Sequence, residues 1–161
     1  MPALLGGTNR GAMPLEALLA AYAGSLNVVG NFVAKTMDFE LQRWDFTIWA
    51  EFDPSGMYGL AKVTKPILVV HVEARVTTPE SGPRLAQLRN VMAVRDPIHN
   101  LLQSAGVRIE EKWERITPGG TKIKSRKNHK RTMASRSKTA RAIVPVVIDI
   151  VVTPLFSSIE I

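Results

Sequence analysis

The sequence predicts an α+β fold: a mainly antiparallel β-sheet, or a β-sandwich or barrel-like core, with an N-terminal helix, one or two short helices and a long basic loop between strands. Three observations predict it. Apolar and polar residues alternate through residues 39–52, 67–77 and 107–116, and a dense valine and isoleucine run fills 142–152, the period-2 mark of strands. Helical spacing appears near the N-terminus and again between the second and third of these segments. Residues 122–141, KIKSRKNHKRTMASRSKTAR, hold nine of the chain's 21 Lys and Arg and none of its 14 Asp and Glu. Strand-like segments flank this tract, so it reads as an internal excursion from a sheet, a basic loop spanning 117–141.

At 161 residues the chain fits one domain, 1–161, long enough to bury an apolar core without metal or disulfide staples. Residues 1–13, MPALLGGTNRGAM, lack a sustained period and read as a flexible arm. Pro14 stands where a helix can start, and PLEALLAAYAGSL puts Leu15, Leu18, Leu19 and Tyr22 on one face. Gly24 is expected to end or loosen that helix. The first strand follows, with Phe46, Ile48, Ala50 and Phe52 on one row, and DPSG at 53–56 has turn chemistry.

Residues 67–77, ILVVHVEARVT, form the clearest strand. Leu68, Val70, Val72, Ala74 and Val76 make one row, with His71, Glu73 and Arg75 on the other, so one face is buried and one wet. Leu85, Leu88 and Met92 mark a short amphipathic helix, and Asp96 and Pro97 start another turn or two that Gly106 stops. Residues 107–116 place Val107, Ile109, Glu111, Trp113 and Arg115 on one parity. That mixture suits an edge strand or exposed hairpin arm. TPGG at 117–120 supplies a turn. The last segment, 142–161, reads as a central buried strand because its β-branched residues are so dense, and Asp149 within it must face water or a basic partner.

Two apolar stretches bear on location. Leu15–Ala23 is preceded by only one basic residue, Arg10, and contains Glu16, so a cleaved signal is not expected. Ile143–Ile161 is interrupted by Pro145, Asp149 and Pro154 and is too broken to span a bilayer. The expected location is a virion or the cell interior, cytoplasmic or nuclear.

The formal charge of +7 divides into the basic tract and a nearly neutral body. Concentrated positive charge stays solvated until a polyanion neutralises it. Lys122, Lys124, Arg126, Lys127, Lys130, Arg131, Arg136, Lys138 and Arg141 are therefore the candidate contacts to RNA or DNA, with an acidic protein surface or an anionic membrane as alternative partners. The tract has no aromatic residue for base stacking, so binding would be backbone-driven and salt-sensitive.

Catalytic signatures are missing. There is no cysteine, which excludes disulfides, thiolate metal sites and a thiol nucleophile. His71, His99 and His129 fall in a strand, a helical turn and the basic loop without ligand spacing, and no metal or cofactor is expected. The acidic residues read as surface charge. Trp44 and Trp49 have opposite parity in one strand, so at least one is expected to face solvent or another subunit, and Trp113 lies in a charged setting. All three are candidate interface residues.

Together these readings predict a non-enzymatic, self-assembling structural protein, such as a capsid, matrix or phage-tail subunit. It would be a homo-oligomer whose basic loop contacts nucleic acid or another acidic surface. A monomeric nucleoprotein or ribosome-associated subunit is the first alternative. A small enzyme is the second, and it would require a histidine joined in space to two carboxylates.

Overall fold

The computed structural model describes residue 8, residues 11–119 and residues 148–152. The basic residues from Lys122 to Arg141, His129 and most of the N-terminal arm lie outside the described residues. The chain begins with helix α1 (Pro14–Thr36), followed by strands β1 (Arg43–Phe52) and β2 (Ile67–Thr77). Helices α2 (Gly82–Arg95) and α3 (Pro97–Ser104) then lead to β3 (Arg108–Ile116), and β4 (Ile148–Val152) completes the set.

The four strands form one sheet in the order β3-β2-β1-β4. The hairpin β1–β2 and the pair β1–β4 are antiparallel, whereas β2 and β3 run parallel. The expected α+β composition and N-terminal helix hold. A mixed sheet replaces the antiparallel sandwich or barrel, because a chain that leaves β2 through two helices returns on the same side in the same direction. Among the described residues β3 lies at an edge of the sheet, as its mixed parity predicts. β4 is also at an edge, bonded only to β1 among the described residues, where a central strand was expected.

Strand register fixes which residues meet the helices. Trp44, Phe46, Ile48 and Ala50 pair with Val76, Ala74, Val72 and Val70, and all eight are buried. On β3, Ile109, Glu111 and Trp113 continue these rows. The opposite row of β1, Arg43, Asp45, Thr47, Trp49 and Glu51, is only partly covered.

α1 lays Leu19, Tyr22, Ala23, Leu26, Gly30 and Val33 against the sheet, spaced so that one stripe of the helix is apolar. It continues twelve residues beyond Gly24 rather than ending there. Gly30 explains part of this course: a Cβ there would lie 1.7 Å from the Trp44 ring, so only glycine lets the helix backbone meet the indole. Asn27 Oδ1 accepts the Trp44 indole N–H at 3.1 Å and the Asn31 amide at 2.9 Å. By length and composition α1 could cross a bilayer, yet half of its most apolar window is buried inside the fold. A core helix passes the same test.

Candidate functional site

The junction of α1, α3 and β3 gathers five polar side chains that the sequence scatters over 90 positions. Tyr22 and Ser25 are one turn apart on α1, Asp96 and His99 open α3, and Glu111 lies on β3. Tyr22 and Asp96 are 0% exposed and His99 is 4% exposed. Ser25 and Glu111 are half-buried and form the rim.

Asp96 is held first by local geometry. As the N-cap of α3, its Oδ1 accepts the backbone N–H groups of Ile98 and His99, each at 2.8 Å, which satisfies two of the donors a helix start leaves over. The same oxygen accepts the Ser25 hydroxyl at 2.9 Å. One carboxylate oxygen thus joins α1 to α3. The other, Oδ2, is buried without a hydrogen-bond partner among the described residues.

Beside it, the Tyr22 hydroxyl lies 2.8 Å from His99 Nδ1, and Glu111 Oε1 lies 3.8 Å from the same nitrogen. Glu111 is oriented through its second oxygen, which accepts the Trp113 indole N–H at 3.3 Å. Burial pushes the Tyr22 hydroxyl pKa far upward, and the carboxylates of Glu111 and then Asp96 add to the shift. Tyr22 therefore stays protonated, and it shares one hydrogen bond with Nδ1 whose direction follows the imidazole tautomer. Within reach of one another are a hydroxyl resting on a fixed carboxylate and an imidazole set between a phenol and a second carboxylate.

A second histidine also meets two carboxylates, on the opposite face of the sheet. His71 Nε2 is 3.2 Å from Glu51, its Nδ1 is 3.2 Å from Glu110, and its ring stacks on Trp49 at 4.9 Å. This group links β1, β2 and β3, but Glu51 and Glu110 are 32% and 48% exposed and water screens them. Among the described residues no group of three or more His, Cys, Asp or Glu is arranged to hold a metal ion.

Of the candidate interface residues, Trp44 is core and Trp113 packs edge-on against the core residue Phe46 at 6.3 Å. Trp49 alone lies on the open face. Sequence reasoning missed the five-residue site because Tyr22 counted as one of an apolar stripe, Asp96 as a helix cap and Glu111 as surface charge. One signal was present: Glu111 shares a strand row with Ile109 and Trp113, so a carboxylate on a core-facing row needed a partner.

No family model matches the chain, and no curated protein matches it. Solved structures do. An OsmC-like protein from Mycoplasma pneumoniae superposes with a TM-score of 0.60 at 18% identity, over 68% of this chain and 75% of that one. A Legionella pneumophila protein described as an organic hydroperoxide resistance protein OsmC, predicted redox protein and regulator of sulfide bond formation gives 0.57 at 19% identity, over 71% and 77%. A further structural-genomics chain gives 0.56 at 14% identity, over 68% and 76%. The fold is that of OsmC-like proteins, and this corrects the expectation of a non-enzymatic capsid, matrix or phage-tail subunit and of a virion location. The basic tract suggested such a role because charge dominates a sequence in which the buried cluster is invisible.

Proposed function

We propose that this chain is a small-molecule enzyme built on the OsmC-like fold, with Tyr22, Ser25, Asp96, His99 and Glu111 as its active centre, and that the centre works by proton transfer without a thiol. The likeness to a protein described as a hydroperoxide-resistance and redox protein supports an enzyme. Reducing a hydroperoxide through a thiol requires cysteine that can be oxidised and regenerated. This chain has none, so any activity here takes another route.

The observation that carries the proposal is the hydrogen bond from Ser25 to an Asp96 carboxylate locked by two backbone amides. A nucleophile on a base that a third group orients is the general arrangement for covalent catalysis. In the proposed reaction, Ser25 Oγ attacks an acyl carbon and Asp96 takes the hydroxyl proton. Asp96 returns that proton to the leaving alcohol as the ester C–O bond breaks; water then adds to the acyl carbon, Asp96 passes one of the water's protons to Ser25 Oγ, and the acid is released. His99, supported by Tyr22 and Glu111, is the second proton-handling group. Proton transfer of this kind contributes about a hundredfold or more to rate.

Turnover of 4-nitrophenyl acetate tests this reading. Saturable hydrolysis that falls about a hundredfold in Ser25→Ala and in Asp96→Asn supports it. Hydrolysis indifferent to both substitutions contradicts it, as does dithiol-dependent consumption of cumene hydroperoxide. The chain is also proposed to self-associate, with Trp49 on the open sheet face within the contact. Light scattering checks this: an oligomer in the wild type that dissociates in Trp49→Ser supports it, and a monomer contradicts it.

A further inference from the structure

We infer that the ligand selected by this site carries a positively charged, hydrogen-bond-donating nitrogen, such as a primary ammonium group. The inference rests on the proposed active centre and specifies its substrate class. Asp96 and Glu111 bring two carboxylates to the junction. Among the described residues no Lys or Arg side chain hydrogen-bonds or ion-pairs with any of the five.

An acidic pair alone would not specify a ligand. Asp96 Oδ2 does so independently, because it belongs to a fully buried side chain and has no donor among the described residues. Buried acceptors are nearly always satisfied, and an exception calls for an explanation, here a donor from outside the described residues. Glu111 Oε1 lies 3.8 Å from His99 Nδ1, beyond hydrogen-bond distance. An ammonium offers three donors and one positive charge, which answers both the unpaired oxygen and the local excess of negative charge. A neutral alcohol answers only the first, and a carboxylate answers neither and is repelled. Burial raises the Tyr22 hydroxyl pKa first, and the Glu111 and Asp96 carboxylates add to that shift.

Calorimetric titration of the full chain with propylammonium, propan-1-ol and propionate tests the inference without reference to turnover. Saturable propylammonium binding is expected, about tenfold tighter than propanol, with no binding of propionate. Asp96→Asn should weaken propylammonium by about tenfold or more while keeping the helix cap. Glu111→Gln gives a second reading if Asp96→Asn fails to fold, and Glu73→Gln, on the open face, should leave binding unchanged. Propionate binding as tight as propylammonium, absence of propylammonium binding, or binding unaffected by both site variants would overturn it. Ammonium binding without ester turnover would uphold this selectivity and reject the proposed reaction.

Discussion

Tyr22 shows how one side chain serves both packing and chemistry. Its ring fills the core beneath α1, while its hydroxyl needs a buried partner and finds His99 Nδ1. Tyr22→Phe should cost about 1 kcal/mol in urea unfolding, the net worth of one hydrogen bond. The raised hydroxyl pKa also fixes a pH dependence. Above about pH 10 the unfolded chain releases this proton and the folded chain retains it. The folded state then binds more protons, so stability falls as pH rises through that range and is unaffected below it. Thermal midpoints recorded across the alkaline range should drop more steeply in the wild type than in Tyr22→Phe.

Elements are where the sequence was most and least informative. β2 runs from Ile67 to Thr77 as its alternation indicates, and Asp96 caps α3 as its place before Pro97 suggests. The second half of α1 was illegible because Gly24, Val28, Val29 and Gly30 all have poor helix propensity, and tertiary packing overrides it. Gly30 makes that packing possible. Gly30→Ala should destabilise the fold by about 3 kcal/mol or more in denaturant unfolding, since neither the helix backbone nor the buried Trp44 ring can yield cheaply. A second prediction concerns α3. Asp96→Ala removes the acceptor of two amides and of Ser25, and should cost about 2 kcal/mol. Asp96→Asn retains a capping oxygen and should cost less than about 1 kcal/mol. The difference between them separates the structural role of Asp96 from its proposed chemical one.

At the scale of the whole molecule, the described residues set three helices against one mixed sheet. The parallel return of β3 beside β2 brings Glu111 to the start of α3. No local pattern could reveal that meeting, because Tyr22, Asp96 and Glu111 approach one another only through the topology. The basic tract, by contrast, is conspicuous in sequence and lies outside the described residues. Ser25 beside Asp96 is the pair proposed to act at the polar junction of this fold.

Peptide mapping by mass spectrometry after rapid quenching with 4-nitrophenyl acetate tests that claim most directly. The account predicts an acetyl group on Ser25 in the wild type and its loss in Asp96→Asn. Acetylation confined to surface lysines, with Ser25 unmodified, would contradict it.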